Sequence, residues 1–231
     1  MNIYTNESLV RRNARIAQIS MLAGLLILAG GMFISFRMPE QFGLSLAALM
    51  AGFALSQIGI YFSNRWGRRP RPDELLNQAL KGLDDKYALY HYKTPVSHLL
   101  VGPPGIWMLM PRHQRGTITF QNGRWKQRGG NLYMKIFAQE GLGRPDLEVT
   151  SETETLKRYL DQRIEDESIL PPIQTALIFT HPKANINIPE DENPPAETIP
   201  LNKLKDLIRK KAKEKVLSPG KAEQIKQAIG A

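Results

Sequence analysis

Residues 86–135 contain eight Lys or Arg and not one Asp or Glu. Whatever chemistry this stretch performs must use cations, hydroxyls, imidazoles or aromatic rings. Its histidines His98 and His113 are of a type that ligates metals. With no carboxylate or cysteine beside them in sequence, packing and hydrogen bonding are their expected roles, and neither a metal nor a cofactor is expected. Arg112, Arg115, Arg124, Lys126 and Arg128 interleave with Trp125 and Tyr133. Cations for phosphates beside rings for bases are what nucleic-acid surfaces carry, so Arg112, Arg115, Arg124, Trp125, Lys126 and Arg128 are the candidate binding residues. An exposed hairpin carries the same mixture, and both readings stand. The absence of cysteine excludes disulfides, thiolate zinc sites and cysteine nucleophiles. The formal charge of +9 favours acidic partners, nucleic acid or anionic lipid.

These side chains must be positioned by a run of short strands. Residues 98–101 and 106–110 are apolar and are separated by Gly102-Pro103-Pro104-Gly105, a tight turn between two strands. Residues 87–92 read as a strand before this hairpin and residues 117–121 as one after it. Asn122-Gly123 is a type I′ turn signal that returns the chain into Arg124-Trp125-Lys126.

The pattern resembles the nuclease-related domain (NERD) family, a branch of the restriction-endonuclease-like fold. In that family the first strand begins Ile-Asp-His, the turn is Gly-Pro-x-Gly, and the second strand ends Glu-x-Lys ahead of a Gly. The scaffold positions match at His98, Val101, Gly102, Pro103, Gly105, Ile106 and Gly116, and a Gly-x-Trp after the next turn is kept as Gly123-Arg124-Trp125. The resemblance implies a mixed-sheet α/β domain flanked by helices. The family's metal-dependent phosphodiester cleavage would need carboxylates that this chain replaces: Ser97 stands for the Asp, Met110 for the Glu and Arg112 for the Lys. A hydroxyl and a thioether are poor ligands for a hard divalent cation. No catalytic residue is therefore assigned, and displaced carboxylates such as Glu74 or Glu140 are what a residual nuclease would have to use.

Ahead of this domain stand two uncharged runs, residues 16–36 and 42–62, each long enough to cross a bilayer as a helix. A cleaved signal peptide competes for the first run, but its apolar core is too long and a second span follows at once. The expected organisation is an N-terminal tail (residues 1–15), a two-helix transmembrane hairpin (16–62), a basic linker (63–72) and the NERD-like domain (73–231). Arg11, Arg12 and Arg15 precede the first span, and Arg65, Arg68, Arg69 and Arg71 follow the second. The positive-inside rule then places both termini in the cytoplasm of a two-span membrane protein. Ala48, Gly52 and Ser56 form a small-residue stripe, expected to pack on the first span near Gly24 and Gly30-Gly31, with self-association as the competing use.

Beyond the hairpin region the charge reverses, with nine acids against four bases over residues 140–167. Leu156, Tyr159, Leu160 and Ile164 mark an amphipathic helix, residues 173–179 a buried strand and residues 182–197 a loop. Leu204, Leu207 and Ile208 mark a lysine-faced helix, and Ser218-Pro219 starts a last one as cap and first residue. The expected function is a membrane-anchored, non-catalytic interaction module at the cytoplasmic face, with the lipid bilayer and a protein as partners. A membrane-tethered nucleic-acid-binding protein and a residual metal-dependent nuclease are the alternatives.

Overall fold

The structure is a computed structural model that describes residues 1–129, 141–164, 166, 169–214 and 216–230. Tyr133 and Glu140, the expected stacking ring and displaced carboxylate, lie outside the described residues. Two bodies form among the described residues, a helical hairpin of residues 7–71 and an α/β domain drawn from residues 1–6 and from residue 72 onward.

The hairpin consists of α1 (Glu7–Arg37), a short 3-10 turn at Pro39–Gln41 and α2 (Phe42–Phe62). Both helices are long and apolar enough to cross a membrane. Absence of side chains is what lets them touch. A Cβ on Gly24 would lie 2.5 Å from the Ser56 Oγ, one on Gly31 3.0 Å from the Ala48 Cβ, and one on Gly52 2.9 Å from the Leu28 amide. The Ser45 hydroxyl donates to the Gly31 carbonyl at 3.0 Å, closing the polar gap between the helices. Gly30, by contrast, looks into open space. The stripe Ala48, Gly52, Ser56 thus packs on α1, near Gly24 and Gly31 as expected. Gly52→Val would press on the Leu28 side chain and amide and on the Gly24 carbonyl together, and overpacking of this kind costs about 1–3 kcal/mol. Thermal unfolding of the full chain in detergent should show that loss, with Gly30→Val unaffected.

The α/β domain does not begin where the hydropathy pattern suggested. Residues 1–15 are not a tail, because Asn2–Thr5 is a strand, β1, and α1 starts two residues later. β1 lies parallel to β2 (Ala88–His91), with Tyr4 opposite Tyr90. The hairpin is therefore an insertion between β1 and α3 (Pro72–Ala79), rather than a leader ahead of the domain. The Tyr4 and Tyr90 rings stack at 5.1 Å and 15°, and burial, then the neighbouring Tyr4, pushes the Tyr90 hydroxyl well above the ordinary tyrosine pKa.

From β2 the sheet continues through β3 (His98–Gly102) and β4 (Gly105–Arg112), both antiparallel, as the Gly-Pro-Pro-Gly turn requires. After β5 (Gly116–Gln121) and β6 (Arg124–Arg128), α4 (Pro145–Asp161) leads into β7 (Ile173–Phe179), which pairs parallel to β4. β8 (Ala184–Asn187) follows, and β9 (Glu197–Pro200) closes the far edge beside β7. The six-stranded order is β1-β2-β3-β4-β7-β9. Alternation sends Leu99, Val101, Ile106, Met108, Leu177 and Phe179 to one face, under α4 and α6 (Pro219–Ile229). Leu89, Leu100, Trp107, Leu109, Ala176 and Ile178 go to the other, under α3 and α5 (Leu204–Ala212). A mixed sheet between two helical layers is the expected α/β class.

β5 and β6 leave this sheet for a second one. Gly116, φ +92°, turns the chain so tightly that a Cβ would clash with the Arg128 carbonyl. The Asn122-Gly123 turn has both residues at positive φ, 53° and 68°, as a type I′ hairpin needs. The small sheet has the order β6-β5-β8. Its third strand lies inside residues 182–197, expected to be a loop, and is a correction to that reading.

Candidate nucleic-acid interface

The three-stranded sheet has one face in the core and one outside. Ile118 and Phe120 are buried, and Trp125 and Ile186 pack against the same cluster. The period of two then sends every other residue outward. Arg124, Lys126 and Arg128 are all exposed on β6, opposite Gln121, Thr119 and Thr117 of β5. On the other side of β5, Asn185 and Asn187 of β8 stand in register with Thr117 and Thr119 and are also exposed. The result is a flat face of cations, hydroxyls and amides with no apolar side chain in those positions. At about 6.7 Å per alternate residue, the three cations cover about 13 Å, over which one DNA strand carries about four phosphates.

No described carboxylate pairs with Arg124, Lys126 or Arg128. Glu192, on the loop beside the hairpin tip, accepts from the Asn122 amide at 2.7 Å. The reverse side of the face is packed: the Trp125 ring lies 5.0 Å from that of Phe120, tilted 55°.

The remaining candidates from sequence are not on this face. Trp125 points into the core side, so it is not a base-stacking platform. Arg112 ends β4 with its side chain 16% exposed, and its Nη2 donates to Glu148 Oε2 of α4 at 2.5 Å. Arg115 is half-buried in the link between the two sheets, where its carbonyl accepts from Gln127 Nε2 at 2.9 Å. Four outward residues, Thr117, Thr119, Asn185 and Asn187, were not among the sequence candidates. The alternation Asn185-Ile186-Asn187-Ile188 is the signal that marks the last two.

The positions that the NERD resemblance makes catalytic are spread over different environments. Ser97 is half-buried just before β3, and its carbonyl accepts from the Tyr92 amide at 2.8 Å. Met110 is 6% exposed and belongs to the apolar cluster under α4. The carboxylate nearest in role, Glu148, is engaged by the Arg112 guanidinium. A buried thioether, a hydroxyl and a guanidinium already bound to the local carboxylate do not fit a hard divalent cation, so no step through such a metal is derived. Glu74 lies half-buried on α3. Among the described residues no three His, Asp or Glu side chains converge as a metal site would require.

The two histidines weighed as a pair have different partners. The His98 Nδ1 shares a hydrogen bond with the His91 Nδ1 at 2.8 Å, both rings buried, and the His91 Nε2 bonds the Asn77 Oδ1 at 3.0 Å. His113 bonds the Thr180 hydroxyl at 3.2 Å and packs on His181 with ring centres 5.2 Å apart.

Compared with protein-family models, curated proteins and solved structures, the chain matches none.

Proposed function

We propose that this chain is a membrane-anchored, non-catalytic interaction module whose partner is nucleic acid, held by its phosphates on the outer face of the small sheet. The observation that carries this reading is the row Arg124, Lys126, Arg128, exposed and not ion-paired among the described residues. Phosphate contacts dominate nucleic-acid affinity and need clustered cations without competing acids. Hydroxyls and amides beside them add contacts to phosphate and sugar. A membrane-surface helix or strand would instead interleave its cations with apolar residues, which this face lacks. The NERD resemblance agrees with a nucleic-acid partner, and the replacements Ser97, Met110 and Arg112 agree with the loss of cleavage. The arginines on both sides of the hairpin favour a cytoplasmic position for both ends of the chain.

Topology and catalysis are tested together. In this cysteine-free chain, Met38→Cys should react with an impermeant thiol reagent outside intact cells, and Gln127→Cys only after lysis. The opposite pattern overturns the orientation. The purified full chain should not cut DNA or RNA in Mg²⁺ or Mn²⁺ above a mock purification. Cleavage that disappears in Glu74→Gln would overturn the non-catalytic reading.

A further inference from the structure

The end of α2 carries more order than a topology signal needs. The helix passes at Phe62 into a π turn, Ser63–Gly67, closed by the Arg68 amide donating to the Ser63 carbonyl at 2.8 Å. Such turns are rare and concentrate at functional sites. Inside it, Arg65 Nη1 donates to the Tyr61 hydroxyl at 2.7 Å. The guanidinium carbon lies 5.7 Å from the Tyr61 ring centre and 5.5 Å from that of Trp66. Both distances are within cation–π range. Arg68 follows, exposed, where the turn ends.

The turn packs on α1: a Cβ on Gly67 would lie 3.9 Å from the Ala17 methyl. At 1.5 Å per residue, Arg15 is then about 3 Å along α1 from this contact, and Arg11 and Arg12 about 8–9 Å. All three are exposed and lie on the side away from the apolar run. Between Ser8 and Pro72 the sequence holds one carboxylate, Glu40, which sits in the connection at the hairpin's other end.

Orientation by the positive-inside rule requires charge alone. It does not require an arginine held against two rings, nor a π turn to present it. We propose that this end of the hairpin is a head-group site for an anionic phospholipid. Arg65 and Arg68 take the phosphate, while Tyr61 and Trp66 lie at the boundary between head group and acyl chain. A planar guanidinium matches phosphate oxygens in pairs, and oriented aromatic rings favour that depth. Arg11, Arg12 and Arg15 add attraction at the same level. The inference rests on the reading of the hairpin as a membrane anchor.

The full chain, purified in mild detergent, is offered equal amounts of phosphatidylglycerol and phosphatidylcholine, and bound lipid is counted by native mass spectrometry. The expected result is about tenfold preference for the anionic lipid, lowered several-fold by Arg65→Gln with Arg68→Gln, the remainder coming from Arg11, Arg12 and Arg15. Arg65→Lys keeps the charge and loses the planar fork, and it should retain less than half of the preference. Equal retention by the unaltered chain, or an unchanged ratio in the double variant, overturns the site. Displacement of the bound lipid by a short oligonucleotide would overturn it too, in favour of nucleic acid. Should the double variant not insert, Tyr61→Phe removes only the hydroxyl that orients the guanidinium, and an unchanged ratio there overturns the site. Release of the unaltered chain from membranes by alkaline carbonate would instead refute the anchor itself. A chain that stays anchored but shows no preference refutes the head-group site alone.

Discussion

Arg124→Gln, Lys126→Gln and Arg128→Gln together should weaken nucleic-acid binding about a hundredfold near physiological salt and flatten its salt dependence by about two to three logarithmic units. The size follows from the register. Three cations on one strand face can each neutralise one phosphate, and each neutralised phosphate contributes close to one unit of slope, somewhat less on single strands. The substitutions fall on exposed positions of β6 whose neighbours across β5 are Gln121, Thr119 and Thr117, so stability should change little. Arg112→Gln provides the contrast. It breaks the contact with Glu148 and should cost about 1–2 kcal/mol of stability with binding unchanged. Titration of a labelled oligonucleotide at several salt concentrations, with thermal unfolding in parallel, separates the two.

Removing β1 should have the largest effect on stability. A fragment that begins at Asp73, where the hydropathy pattern starts the domain, lacks residues 2–5 of the domain's own sheet. It loses the stack of Tyr4 on Tyr90 and the bonds from the Asn2 amide to the Tyr87 carbonyl and from the Asn6 amide to the His91 carbonyl. It also bares the edge of β2, a strand buried along its whole length, and open apolar edges invite pairing between chains. Half a buried aromatic ring and several uncovered backbone groups amount to about 3–4 kcal/mol, or about 10 °C in Tm for a domain of this size. A chain in which residues 7–71 are replaced by a Gly/Ser linker keeps β1 and should remain monomeric. The fragment from Asp73 should melt lower and associate, as thermal unfolding and light scattering will show. Equal melting of the two would contradict the role given to β1.

What the sequence made legible was local. The second helix falls on residues 42–62 as its uncharged run indicates, and Asn122-Gly123 closes the hairpin whose alternation sets out the three cations. Ser218 caps the last helix by accepting from the Lys221 amide at 3.4 Å. What escaped depends on pairings far apart in the chain. β1 is four residues in a polar lead, and its partner strand starts at Ala88. β8 is hidden by flanking Pro and Asn, and only its pairing to β5 makes it a strand. Interleaved spacing also put Trp125 on the binding side, although a period of two sends it to the opposite face from Arg124 and Lys126. The acid-free stretch concealed that Glu148, on a helix much later in the chain, would reach Arg112.

The central claim, anchored binding without cleavage, is tested most directly on the full chain in nanodiscs of zwitterionic lipid, which leave anionic head groups out of the measurement. A labelled oligonucleotide is titrated in Mg²⁺ at a series of salt concentrations, and the bound material is recovered for sizing. The account predicts binding whose logarithm falls with the logarithm of salt with a slope of about −2 to −3, and an oligonucleotide recovered intact. No binding at low salt, or Mg²⁺-dependent shortening of the oligonucleotide by the unaltered chain, would contradict it.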